Sequence, residues 1–282
     1  MFGLLGPNGA GKSTLMRTLA TLQEPDTGSV HLGELDVLQD KDAVRRQLGY
    51  LPQEFGLYPK VPAYDLLDHF AVLKGVTNKG ERKDLVESLL QQTNLWNART
   101  KHLGGYSGGM KQRFGIAVAL IGDPQLIIVD EPTAGLDPAE RVRFLNLLSE
   151  LGEGAVVILS THIVEDVAEL CSRMAIINSG EILLQTEPLG AIRQLEGRIW
   201  KRIIDKDELA TYEEEVDVIS SRLLVGRVVI HVYAVTPPEG FEPVQPDLED
   251  VYFCTMKGLV AESPARMDAP VGEVSPLVEP PS

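Results

Sequence analysis

The chain has 282 residues, of which 44 % are hydrophobic and 24 % charged, and its formal net charge is −15. That is enough chain for one large domain or two modest ones with a real core, and the negative overall field disfavours nonspecific nucleic-acid binding. Its two cysteines, Cys171 and Cys254, have neither metal-ligand spacing nor a disulfide pattern, which fits a reducing compartment, and no apolar run reaches the roughly 18 residues of a membrane helix.

Phe2, Leu4 and Leu5 open the chain as a short apolar stretch suited to a buried strand. Gly6-Pro7-Asn8-Gly9-Ala10-Gly11-Lys12-Ser13, followed by Thr14, fits G-x-x-x-x-G-K-[ST] at every fixed position. Its glycines let the backbone curl so that N–H groups face phosphate oxygens. Lys12 brings a full charge to the outer phosphates, and the Ser13 hydroxyl is a magnesium ligand. A helix starting near Lys12 aims its positive end at the same anion.

Residues 29–37 then read as a hairpin, and Leu48–Gln53 as a strand ending at Pro52. Tyr64–Leu73 and Glu81–Gln92 carry apolar residues at helical spacing. A glycine-rich break at 104–109 precedes a helix over Met110–Ile121. Leu126–Val129 and Ala155–Leu159 are fully apolar runs, as expected of strands buried on both faces. Helices are predicted at Arg141–Leu151 and Glu165–Cys171, and Met174–Ile177 and Glu181–Leu184 flank the hairpin turn Asn178-Ser179-Gly180. The alternation predicts an α/β fold with a mostly parallel sheet around the phosphate loop, a helical insertion at about 54–124, and a first domain over 1–189. Leu223–Val225 and Val228–Ala234 suggest a small α/β unit over 190–256. From 257 to 282 the chain is acidic and proline-rich and reads as a disordered tail.

Four further pieces stand where a nucleoside triphosphatase needs them. Leu126-Ile127-Ile128-Val129-Asp130-Glu131 ends an apolar strand in two acids at the carboxyl edge of the sheet. Asp130 there would hold magnesium through water, and Glu131 would polarise the attacking water as a general base. Ser107-Gly108-Gly109 before a helix forms a second anion cradle, useful only to a nucleotide held by another subunit, although Ser107 also reads as a plain N-cap. His162 follows a buried strand and can reach a terminal phosphate. Gln53 ends its own strand, within reach of magnesium or the attacking water.

The set GPNGAGKST, Gln53, YSGGM, LIIVDEPTAGLD and STH, in this order over roughly 1–190, closely resembles the nucleotide-binding subunit of ATP-binding cassette (ABC) transporters. The resemblance implies a P-loop ATPase using ATP and Mg2+, working as a head-to-tail dimer with two nucleotides sandwiched between subunits. It also implies that Ser107, Gly108 and Gly109 face the partner's phosphate loop and that Asp137 lies in the loop linking the two sites. A separate membrane permease, contacted by 54–74, would hold the subunit at the cytoplasmic face of the membrane. Pro246-Asp247-Leu248-Glu249-Asp250-Val251-Tyr252 is similar to the ending of drug, antibiotic and lipid exporter ATPases. Tyr106 and Met110 depart from the family's usual Leu and Gln beside the signature glycines. Family members also carry a longer segment ahead of the phosphate loop, with two strands and an aromatic residue that stacks on adenine. This chain starts inside the last strand before the loop. That start raises three expectations: that Met1 is not the native start or that the chain is truncated, that ATP binding is weaker, and that a sheet edge is exposed. A soluble non-transport ABC ATPase and an inactive module are the alternative readings.

Overall fold

The structure, a computed structural model, describes residues 1–53 and 56–260; Glu54, Phe55 and most of the acidic tail, 261–282, lie outside the described residues. Strand β1 (Phe2–Leu5) leads through the glycine loop into helix α1 (Lys12–Leu19). A small hairpin, β2 (His31–Leu32) and β3 (Leu35–Asp36), precedes α2 (Lys41–Gln47) and β4 (Leu48–Leu51). The helical segment follows as α3 (Ala63–Leu73), α4 (Lys79–Gln92) and α5 (Gly108–Ala119). The chain then alternates through β5 (Leu126–Asp130), α6 (Pro138–Leu151), β6 (Val156–Thr161), α7 (Val164–Leu170), β7 (Arg173–Asn178) and β8 (Glu181–Thr186). The last part holds α8 (Pro188–Gln194), β9 (Ile199–Ile204), α9 (Leu209–Glu215), β10 (Asp217–Leu224), β11 (Arg227–Tyr233), β12 (Glu242–Pro243) and α10 (Leu248–Met256).

The main sheet has six strands in the order β4-β5-β6-β1-β7-β8, with only β8 antiparallel. Parallel strands need cover on both faces, and the sequence supplies it. Ile127, Ile128 and Val129 are all buried, with Ile127 and Val129 in the larger core cluster and Ile128 in the cluster around α1. β1 is an interior strand flanked by β6 and β7, both from far downstream, so it has no free edge of its own. Four parallel strands, β4, β5, β6 and β1, run alongside one another, and each hands its next residues to the same carboxyl edge.

The helical segment keeps its own core around Phe114, Leu67, Leu90 and Leu103, all fully buried. Burying side chains of that size is worth roughly 1.5–3 kcal/mol each. It sits close against the sheet: a Cβ added at Gly49 would stand 2.3 Å from the Ala119 carbonyl oxygen, so only glycine lets α5 approach β4 this closely. A second sheet, β10-β11-β9-β12, has its own cluster around Trp200, Ile230 and Val232. Ile199, Ile219, Leu248 and Val251 instead join the main core, so α10 packs into the same apolar cluster as β6 and β7.

Candidate phosphate site

The phosphate loop is shaped by its glycines. Gly9 and Gly11 take φ of +82° and +104°, values that only glycine adopts freely. The turn of the β7–β8 hairpin steadies the loop, with Gly180 N–H donating to the Ala10 carbonyl at 2.9 Å. α1 begins at Lys12 without a side-chain cap, so its first-turn N–H groups lack helical partners. Asn8, Gly9, Ala10, Gly11, Lys12, Ser13, Thr14, Gln53 and Glu131 line one cleft of about 380 Å³. A polar cleft with a buried ammonium, curled glycine backbone and a helix start fits a polyphosphate.

Inside it lies a chain of contacts. Lys12 Nζ donates to the Gly6 and Pro7 carbonyls at 2.7 and 3.2 Å and stands 3.1 Å from Glu131 Oε1. Both side chains are only 5 % exposed, so this is a desolvated ion pair. Glu131 Oε2 lies 2.6 Å from His162 Nδ1. An ionised carboxylate can only accept, so Nδ1 carries the proton and Nε2 is left for another partner. Asp130 is buried, and its Oδ1 accepts the Ser160 hydroxyl at 2.7 Å. Burial and the Asp130 charge together raise the Tyr50 phenol above its ordinary value. The structure thus brings the phosphate loop, Gln53, Asp130, Glu131 and His162 to one edge. Ser160, which orients Asp130, was not singled out by the sequence as a site residue; its place opposite Asp130 in the β5–β6 register is the signal that finds it.

The remaining expected residues lie elsewhere. Ser107 caps α5, accepting from Met110 N–H at 3.2 Å. Asp137 caps α6, accepting from Glu140 N–H at 2.9 Å, with Pro138 in the first turn. Ser107, Gly108 and Asp137 are exposed and do not line the phosphate cleft. Gly109 is buried for a separate reason: a Cβ there would meet the Glu140 carboxylate at 2.2 Å, and that carboxylate pairs with Arg113. Tyr106 points inward. Its hydroxyl donates to the Ala98 carbonyl at 3.0 Å, its ring meets Phe114 edge-on, and burial pushes its phenol up to about 12. Tyr106, one of the two departures from the usual signature, therefore packs the helical core, while Ser107 and Gly108 stay on the surface.

The ABC transporter family profile matches residues 1–134. An ABC transporter ATP-binding protein of Bacillus subtilis, YxlF, is 34 % identical over 267 residues, 88 % of each chain. The chain belongs to the ATP-binding proteins of ABC transporters. The probable multidrug ABC transporter ATP-binding protein YbhF of Escherichia coli is 40 % identical over 197 residues, 70 % of this chain, which spans only 34 % of YbhF. Among solved structures, the ATP-binding cassette MJ0796, a dimer bound to ADP and Pi in a post-hydrolysis state, aligns with TM-score 0.60 and 27 % identity over 66 % of this chain and 84 % of its own. The fold is accordingly the P-loop ABC ATPase cassette.

Proposed function

We propose that this ABC cassette powers an exporter, working as a head-to-tail pair at the cytoplasmic face of a membrane with a separate permease. The observation that carries the reading is the Glu131 carboxylate, held between Lys12 and His162 beside the phosphate loop. In hydrolysis the water oxygen bonds to the terminal phosphorus, the bond from that phosphorus to the bridging oxygen breaks, and Glu131 takes the water's proton. The His162 N–H fixes the carboxylate's direction, and Lys12 is positioned to exchange a carboxylate partner for phosphate oxygens. Ser13, Asp130 and Gln53 would hold Mg2+, which when bound neutralises charge on the phosphates. Among the described residues no group of three or more His, Cys, Asp or Glu forms a metal cage. Magnesium suits such a site, since it binds through one or two carboxylates plus phosphate oxygens and waters.

Two exposed helix starts, at Ser107 and Asp137, support the paired arrangement, because neither serves the cleft of its own chain. A groove of about 630 Å³ between α2, β4, α3 and α5 supports a permease contact. Tyr50, Phe70, Leu73 and Val118 give it apolar walls, with Arg45 and Lys74 at hand, which suits an amphipathic segment. The exporter assignment draws on the likeness to YbhF, a probable multidrug ABC transporter ATP-binding protein, and on the Pro246–Tyr252 ending, whose Leu248–Tyr252 lies in α10 behind a reciprocal cap between Asp247 and Asp250. We read 1–189 as the cassette, with its helical insertion at about 54–124, and 190–256 as an accessory unit.

Glu131→Gln tests the reading. Nucleotide binding should persist while steady-state hydrolysis falls by about 10²–10⁴-fold, the scale of a lost general base. Hydrolysis near the wild-type rate in that variant would contradict the proposal.

A further inference from the structure

We propose that the buried carboxylate of Asp166 is a positioning group that sets the contact between Glu131 and His162, acting through Thr133 and Arg141. The inference rests on the reading of Glu131 as the hydrolytic base.

Asp166 is fully buried in the first turn of α7. Its two oxygens are divided between two partners. Oδ2 accepts the Thr133 hydroxyl, and Oδ1 accepts Arg141 Nε at 2.7 Å and lies 2.6 Å from Nη2 of the same guanidinium. Thr133 is itself 3 % exposed. A carboxylate is costly to bury, and a buried ion pair is often no better for stability than apolar residues of the same shape. Filling the core therefore does not by itself explain this arrangement; what it joins does.

Thr133 stands two residues beyond Glu131, and Asp166 four beyond His162. The hydroxyl–carboxylate bond thus ties the segment carrying the base to the segment carrying its histidine partner. A second tie lies on the other side of the base, where Glu131 N–H donates to the Ser160 carbonyl at 2.8 Å. Between these ties Glu131 holds φ of +51°, a left-handed value uncommon for any residue but glycine. Such a backbone persists only where its surroundings fix it. The same carboxylate also holds both sides of Asp137, since Thr133 precedes it and Arg141 lies in the helix α6 that it caps. A shift of about 1 Å in a reacting group can cost on the order of 100-fold in rate. The 2.6 Å contact between Glu131 and His162 depends on the relative placement that Asp166 maintains.

The test compares Thr133→Val, which removes the hydroxyl and keeps the shape, with Thr133→Ser, which keeps the hydroxyl. For each, kcat, KM for ATP, ATP affinity and thermal midpoint are measured on the full chain. Thr133→Val should lower kcat roughly tenfold to hundredfold, with ATP affinity unchanged and with kcat restored in Thr133→Ser. Should Thr133→Val not fold, Asp166→Asn, which keeps the shape but surrenders one acceptor oxygen, carries the same expectation. Wild-type kcat in the folded variant, or a loss equally large in Thr133→Ser, overturns the proposal. If Glu131→Gln is inactive while Thr133→Val is normal, the positioning role alone has failed. If Glu131→Gln hydrolyses ATP normally, the reading of the site has failed with it.

Discussion

Cys171 and Cys254 are both buried, and burial pushes each thiol from its ordinary 9.0 up to about 12. The folded state therefore holds these protons to higher pH than the unfolded chain does. Their contribution to stability is whole below pH 9 and is lost as pH rises from about 9 towards 12. At pH 8 the native protein should resist iodoacetamide at both positions, and unfolding should expose two reactive thiols; rapid labelling of the native chain would contradict the packing. Other side chains differ in how far they announce themselves in the sequence. Lys12, Asp130, Glu131 and His162 were legible because each sits at, or shortly after, the carboxyl end of a strand within a local pattern. Asp166 was not, because its partners Thr133 and Arg141 lie 33 and 25 residues away and nothing local marks the contact. Tyr106 was legible as a departure, but its inward direction depends on Phe114 and Ala98, which only the folded helical core brings to it.

The β10–β11 hairpin shows where element-level reading stops. Leu224 pairs with Arg227, leaving Val225-Gly226 as a two-residue turn with φ of +48° and +84°. Both positions of this turn type want left-handed backbone, which Asn-Gly supplies and a β-branched residue resists. Leu223–Val225 reads as strand in the sequence because valine favours strands, yet β10 ends at Leu224. Val225 is 96 % exposed, so it has no packing to lose. Val225→Asn should stabilise the protein by about 1 kcal/mol, or about 2 °C in thermal midpoint; a lowered midpoint would contradict the turn assignment. Helix starts differ from the apolar pattern for a related reason. α5 begins at Gly108 rather than Met110, and α6 at Pro138 rather than Arg141. Their caps, Ser107 and Asp137, mark the starts more closely than hydrophobic spacing does.

Across the whole molecule, alternating strands and helices made a mostly parallel sheet legible, whereas the strand order was not. That order is set by pairings between distant segments, such as β1 with β6 and β7. It is what delivers Gly6, Gln53, Asp130, Glu131 and His162 to one edge and leaves Ser107 and Asp137 on the surface away from the cleft. In the proposed pairing, each chain supplies one half of a nucleotide site at the phosphate loop and the other half at Ser107, and two copies complete them. Glu131→Gln, mixed with ATP and Mg2+ and followed by light scattering, measures this directly. The account predicts monomers without nucleotide, dimers with it, and no dimers once Ser107→Arg is added to the same chain. Persistent monomers with saturating nucleotide, or dimers indifferent to Ser107→Arg, would contradict it.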